Sequence, residues 1–169
     1  MMMARPWSSS PKRVILSLLP LALTVEKRAV AERVYKFALC PKSTNNGYFL
    51  DANAGFVDGA AALNATAAEG GPRVRPYYLG NPEFVADGVA QAEIVTAALD
   101  EMDGLAISVL NAELMRPLID AARSRGLPVV TFDSDDPGSA RQSYVGTNNT
   151  FFGEQIGKVL DQIKPTGGR

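Results

Sequence analysis

The sequence predicts an α/β fold, a doubly wound parallel sheet flanked by helices. Short β-rich runs alternate with longer helical patterns, turn-forming residues separate them, and one strand is apolar throughout. Strands separated by helices require right-handed crossovers, which make the sheet parallel. The chain has 169 residues, of which 46% are hydrophobic, and this is sufficient for one domain with a buried core.

Two strands, each followed by a helix, make up the first half of this fold. Residues 35–39 are a β-rich run, and a turn-rich segment separates them from a helix over 48–68. Apolar spacings of three and four define the buried face of that helix. This face comprises Phe49, Ala52, Phe56, Ala60, Leu63 and Ala67. The second strand covers 74–79 and the second helix 85–99.

The second half begins with the continuous apolar run at 104–110, as expected for a strand covered on both faces. Asn111 caps a third helix that runs to about residue 125, where Gly126 ends it. A fourth strand at 128–132 and a short fifth strand at 143–146 follow. Asn148 or Asn149 caps the last helix, over 150–163.

Composition argues against several functions. The chain has no histidine, the commonest general base and metal ligand, so it holds no Ser-His or Cys-His pair. The single cysteine, Cys40, allows no internal disulfide and no thiolate metal cage. The net charge is -1 and no long basic run is present, so nucleic acid is not an expected partner. We therefore predict a protein that is not an enzyme and uses no cofactor or metal.

The segment 1–31 has the pattern of a secretory signal. Basic residues without an acid precede a short apolar stretch at 14–25, and Ala29, Val30 and Ala31 form a small-x-small cleavage site. The apolar stretch is too short to span a bilayer, which needs about 20 residues. A disordered tail and a transit peptide are the alternatives. The signal predicts a periplasmic or secreted protein, cleaved after Ala31.

The site follows from the topology, because open parallel sheets bind ligands at the carboxyl ends of the strands, near the switch in strand order. The loops after the first, third and fourth strands, 42–49, 108–113 and 133–139, are the most polar parts of the chain. We expect them to lie side by side. Amides beside planar rings suit a ligand with an apolar face and an edge of hydroxyls, such as a sugar, and a carboxylate accepts hydrogen bonds from paired hydroxyls. The candidate contacts are Asn46, Tyr48, Phe49, Ser108, Asp133 and Ser134.

Each of these candidates has a purely structural alternative. Asn46 is equally suited to cap a helix, and the two aromatic residues are equally suited to the core. Asp133 is also suited to a turn, since the segment 135–138 is rich in turn formers, and Asp136 is interpreted as part of that turn. Asp135 is a weaker candidate than Asp133, and Lys42 is interpreted as a solvated charge.

Enzymatic and metal-binding motifs match poorly. Asp133 and Asp135 follow an apolar strand, as in haloacid-dehalogenase-type phosphatases, but Pro137 stands where that motif has Thr or Val, and the strand is the fourth rather than the first. A calcium loop starting at Asp133 would end on Tyr144 instead of Glu. No G-x-G-x-x-G follows a strand. An Asp-dependent phosphatase therefore stays a lesser alternative.

Two stretches resemble periplasmic sugar-binding proteins of the ribose/galactose type. Segment 36–61 (KFALCPKSTNNGYFLDANAGFVDGAA) has the apolar strand, the Ser/Thr-Asn-Asn turn, the two aromatics and the helix ending near DGA. Segment 103–160 has the DG strand, a long helix, a strand ending in DSD, and YVGTNN leading into a helix. The resemblance covers residues 35–163.

The resemblance implies a type I periplasmic-binding fold, in which two α/β lobes joined by a hinge close on one monosaccharide. Such proteins are the substrate-binding components of ABC-type importers and deliver the sugar to a membrane permease. In the family, the residues at positions 46, 48, 49 and 133 contact the sugar. Ser134 adjoins that aspartate, where ribose binders often have Arg, so a sugar other than ribose is implied.

The resemblance also predicts how the chain is organised. Residues 1–31 would be the signal-like segment, 32–148 the N-terminal sugar-binding lobe, and 149–169 the hinge exit and first helix of a second lobe. Family members are about twice as long, so we expect one truncated lobe: a fragment, an incomplete gene model, or a protein that needs a partner. The last helix would then expose its apolar stripe and favour self-association. The stripe comprises Phe151, Phe152, Ile156 and Leu160.

The effector domain of a lactose-repressor-type regulator shares this fold and is the main alternative. Such regulators need an N-terminal helix-turn-helix, for which the Ala/Leu-rich apolar start of this sequence offers no pattern.

Overall fold

The computed structural model describes residues 33–83 and 87–167. The predicted signal-like segment lies outside the described residues, as does the predicted start of the second helix at 85. The elements are β1 Val34–Cys40, α1 Gly47–Thr66, β2 Arg73–Tyr78, α2 Gly88–Glu101, β3 Gly104–Ile107, α3 Ala112–Ser124, β4 Val129–Phe132, β5 Ser143–Val145 and α4 Asn149–Ile163.

The five strands form one parallel sheet in the order β2-β1-β3-β4-β5. All four neighbouring pairs are parallel, so the predicted doubly wound α/β fold is confirmed. The chain moves outward from β1 to β2 and then returns to the other side of β1, which makes β1 and β3 the switch point in strand order. The carboxyl ends of β1, β3 and β4 are therefore neighbours, as the sequence predicts.

Side chains at the helix N-termini explain where each helix begins. The Oδ1 atom of Asn46 accepts a hydrogen bond from the N–H of Tyr48 at 3.0 Å. Asn111 and Asp87 cap α3 and α2 in the same way. Of the two candidate caps of α4, it is Asn148 that accepts from the N–H of Phe151, at 3.0 Å, and Asn149 is the first residue of the helix. Each cap satisfies a backbone donor that the helix itself leaves without a partner.

The core lies mainly between the sheet and the pair α2 and α3. Ile107, Met115, Ile119 and Val129 are fully buried there. Helix α1 covers the other face, where Phe49 packs against Leu39 and Phe132.

Strand β3 ends earlier than the sequence predicts. The apolar run continues to residue 110, but the strand stops at Ile107. Beyond it, the N–H of Val109 donates to the carbonyl of Ser134 at 3.0 Å, in the loop after β4. Val109 is buried, and this explains why the apolar run extends beyond the end of the strand.

Helix α1 covers its face of the sheet only in part. Phe49 and Ala60 of the predicted stripe are buried, whereas Leu63 is 61% exposed, contrary to the prediction. The spacing of apolar residues identifies which face of a helix can contact the sheet. It does not show how far along the helix that contact extends. Beside α1, an apolar cavity of about 230 Å³ lies open over β3 and β4, lined by Phe37, Phe56, Ala106 and Val130 among others.

Helix α4 projects its apolar stripe into solvent. None of its residues is buried, and its large hydrophobic side chains, including Phe151, Phe152, Ile156 and Leu160, are exposed, as predicted. In the described part of the chain, no helix is long and apolar enough to cross a membrane.

Candidate functional site

Three loops at the carboxyl edge of the sheet converge on the carboxylate of Asp133. The hydroxyl of Ser108, which follows β3, donates to Asp133 Oδ2 at 2.8 Å. The ammonium of Lys42, which follows β1, lies 3.1 Å from the same oxygen and also donates to the hydroxyl of Ser134. The loops after β1, β3 and β4 are thus joined by one polar network, which we call the Asp133 network: Lys42, Ser108, Asp133 and Ser134.

The Lys42 contact corrects the sequence prediction, which treats this residue as a solvated charge. Its side chain is 27% exposed and that of Asp133 29% exposed, so the pair is partly withdrawn from water. The signal for this ion pair in the sequence is that Lys42 and Asp133 carry opposite charges and closely follow neighbouring buried strands. The sequence predicts that the loops carrying these two residues lie side by side, but it does not predict the ion pair between them.

The backbone of Asp133 has an unusual conformation. Its φ is 58°, in the left-handed region that costs most residues about 1–2 kcal/mol. Neighbours on β5 hold it there: its N–H donates to the carbonyl of Val145 at 3.2 Å, and the hydroxyl of Tyr144 donates to its carbonyl at 2.9 Å. Such backbone strain clusters at functional sites, because the surrounding structure must maintain it.

The two carboxylate oxygens of Asp133 differ in their partners. The side-chain contacts with Ser108, Ser134 and Lys42 all go to Oδ2, and among the described residues Oδ1 has no hydrogen-bond partner. A carboxylate oxygen accepts from hydroxyl groups, and the nearby ammonium of Lys42 donates to oxygen atoms. The pair therefore offers one acceptor and one donor side by side, which suits a molecule with adjacent hydroxyl groups.

The next two aspartates stabilise the loop rather than face the network. Asp135 makes a two-pronged ion pair with Arg141, whose Nη2 lies 2.6 Å from Asp135 Oδ2. Asp136 is buried and pairs with Arg116, with bonds of 2.8 and 2.6 Å. Hydrogen bonds from these arginines lower the pKa of both carboxyl groups below the ordinary aspartate value. Asp136 does stand in the predicted turn, where its Oδ1 accepts from the N–H of Gly138.

The candidates in the first loop occupy three different environments. The Asn46 side chain caps α1. The ring of Tyr48 is 56% exposed and lies edge-on to Phe49 at 5.2 Å. Phe49 is only 4% exposed and packs edge-on against Phe132, with ring centroids 6.1 Å apart. Their contact with a ligand stays a prediction, and Tyr48 has the accessible ring.

The thiol of Cys40 is unreactive. Cys40 ends β1 and is fully buried. Burial raises the pKa of its thiol to about 12, so the reactive thiolate is not populated near neutral pH.

An open parallel sheet whose switch point carries this polar network is the architecture of a small-molecule binding lobe. A family model described as periplasmic binding protein domain matches residues 37–169. The chain belongs to this family, which confirms the resemblance noted from the sequence.

Solved structures of sugar-binding proteins are similar to this chain. GanP, a glucose-galactose binding protein from Geobacillus stearothermophilus, is 27% identical with a TM-score of 0.69, over 79% of this chain and 44% of its own. AraP, an arabinose binding protein from the same organism, is 26% identical with a TM-score of 0.60, over 81% and 43%. A sugar-binding protein of a sugar ABC transporter from Bacillus halodurans is 26% identical with a TM-score of 0.60, over 78% and 41%. This chain spans less than half the length of each.

Proposed function

We propose that this chain binds a monosaccharide at the carboxyl ends of β1, β3 and β4, without transforming it. The observation that carries the proposal is the Asp133 network, in which a carboxylate with one free oxygen stands beside an ammonium at the switch point. Because Lys42 and Asp133 offset each other's charge, the site suits a neutral ligand rich in hydroxyls. Hydrogen bonds of such groups to charged side chains contribute about 1.5–3 kcal/mol each.

The first loop supplies the apolar side of the proposed site. The exposed ring of Tyr48 is suited to pack on the apolar face of a sugar ring, while Asn46 and Phe49 shape the loop that carries it. Ser108 and Ser134 hold the carboxylate and ammonium in place. The similar proteins named for glucose-galactose and arabinose support a pentose or hexose as the ligand class.

We assign the chain to the substrate-binding component of an ABC-type sugar importer, in the periplasm or outside the cell, with a membrane permease as its partner. In this proposal residues 32–148 form the N-terminal lobe, and 149–169 form the hinge exit and the first helix of a second lobe. The signal-like segment 1–31 would direct export. Family membership and the similar transporter protein from Bacillus halodurans support this assignment.

The test is a titration of the isotope-labelled chain with a panel of pentoses and hexoses, followed by NMR. We expect saturable shifts at the amides of Tyr48 and Asp133, and a loss of most of the binding in Asp133→Asn and Lys42→Met. Asp100→Asn is the matched control, because Asp100 is an exposed carboxylate near the end of α2 that pairs with Arg125, the residue after α3.

Absence of shifts with every sugar would contradict the proposal. Hydrolysis of a generic phosphatase substrate that is lost in Asp133→Asn would instead favour the phosphatase alternative.

A further inference from the structure

A buried glutamine lies directly behind the proposed site. Gln91 stands near the start of α2, and its side chain is 3% exposed. Glutamine is mostly exposed in proteins, and a buried amide is tolerated where its donors and acceptor have partners. In this structure the partners all come from the segments that immediately follow β1 and β3.

The amide of Gln91 bridges these two segments. Its Nε2 donates to the carbonyl of Pro41 at 3.1 Å and to the carbonyl of Ser108 at 2.7 Å. The N–H of Leu110 donates to its Oε1 at 3.1 Å. The strands pair as far as Cys40 and Ile107, and the N–H of Ser108 still donates to the carbonyl of Cys40 at 3.0 Å. The Gln91 side chain bridges the two segments beyond this last backbone bond.

Both bridged segments lead directly into the Asp133 network. Pro41 precedes Lys42, whose ammonium lies 3.1 Å from Asp133 Oδ2, and Ser108 donates to that same oxygen at 2.8 Å. A change in the separation of the two segments would move these donors relative to each other. A fixed spacing is therefore required for both to meet one oxygen atom.

We infer that Gln91 is a positioning residue for the site: by bridging Pro41 and Ser108 it fixes the spacing that brings Lys42 and Ser108 onto Asp133. It does not touch the ligand. The consequence for sugar affinity rests on the proposed function, whereas the consequence for the Lys42–Asp133 distance does not require any ligand.

The test replaces Gln91 with methionine, which has a similar length but cannot donate to either carbonyl. In the crystal structure of the full-chain Gln91→Met variant, we expect Lys42 Nζ and Asp133 Oδ2 to lose direct contact. The dissociation constant of the best-binding monosaccharide should rise about tenfold, because small displacements of binding groups are costly.

Val95→Ala is the control: this buried residue lies one turn along α2 and contacts neither strand end through a hydrogen bond. It should lower the melting temperature but keep the distance and the affinity.

Gln91→Asn provides a second variant in case the Gln91→Met variant folds poorly. Asparagine keeps the amide group, but its side chain is too short to bridge both segments. An unchanged Lys42–Asp133 distance in the folded variants would overturn the inference, as would an equal loss of affinity in Val95→Ala. If the wild-type chain binds no sugar while the Gln91 variants separate the ion pair, the proposed function fails and the positioning role stands.

Discussion

At the residue scale, Asp133 is the centre of the site because backbone and side chain are constrained together. Its left-handed backbone turns the carboxylate toward the loops after β1 and β3. Hydrogen bonds from Tyr144 and to Val145 hold that backbone. Ser108 and Lys42 then occupy one carboxylate oxygen, and the other has no partner among the described residues. For the proposed site this means preorganisation, since sugar binding would not have to order these groups.

The ion pairs of Asp135 and Asp136 predict how stability depends on pH. Hydrogen bonds from Arg141 and Arg116 hold the pKa of each carboxyl group below its unfolded value of about 3.9. A lowered folded pKa contributes stability that is present above the unfolded pKa and is lost as pH falls through the folded pKa. We therefore expect a melting temperature that is flat from neutral pH to about pH 5 and then falls steeply below about pH 4.

The matching variant is Asp136→Asn, followed by thermal unfolding between neutral and acid pH. It should melt several degrees below wild type at neutral pH and show a shallower acid decline, because the buried carboxylate and its pair with Arg116 are gone. Asp100→Asn, which removes an exposed carboxylate, should keep the wild-type slope. An acid decline in Asp136→Asn as steep as in wild type would contradict this account.

At the element scale, α1 and α4 show what an amphipathic pattern does and does not decide. Both helices begin at an asparagine cap and carry an apolar stripe. Helix α1 packs Phe49 and Ala60 onto the sheet, while α4 buries nothing. The apolar pattern identifies the face of a helix that can pack. The position of the helix relative to the sheet decides whether that face is covered.

The exposed stripe of α4 predicts self-association of this chain through that helix. Exposed apolar patches of this kind favour association in water. Leu160→Lys should shift the molecular mass measured by sedimentation toward the monomer, without loss of folding, since Leu160 is exposed. Asp161→Asn changes the net charge by the same amount on the opposite, exposed face of the same helix and should leave the association unchanged. A chain that stays monomeric at the highest soluble concentration would contradict the prediction.

At the scale of the whole molecule, the proposed site consists of loops at one edge of a single sheet. The similar sugar-binding proteins are more than twice as long as the part that this chain matches. In a two-lobed protein, closure of the second lobe buries most of the ligand. In the proposed site, the loops after β1, β3 and β4 would contact the ligand from one side only.

This one-sided site predicts weak binding by the chain alone. A closed site with Kd about 1 μM corresponds to about -8 kcal/mol, and half of that interaction leaves a Kd of about 1 mM. In the sugar titration we therefore expect saturation only at millimolar concentrations or above. Micromolar affinity measured for the monomeric chain would show that one lobe is sufficient.

The sequence by itself determined the elements, the parallel sheet and the neighbouring loops. Hydrophobic spacing, glycine stops and asparagine caps act over a few residues, so they are readable without a structure; Asn111 and Gly126 bracket α3 as expected. Strand β3 and the exposure of Leu63 were the exceptions, because loop contacts and the extent of the sheet decide them.

Only the tertiary structure decided which side chains meet. Lys42 and Ser134 are 92 positions apart, and their contact depends on the order of the strands and the path of each loop. The same holds for the bridge made by Gln91 and for the left-handed backbone of Asp133. Local periodicity carries no information about such pairs. It shows which face of a segment is buried, but not which residues of other segments that face contacts. The fold brings specific partners together, and with them the chemistry of the site.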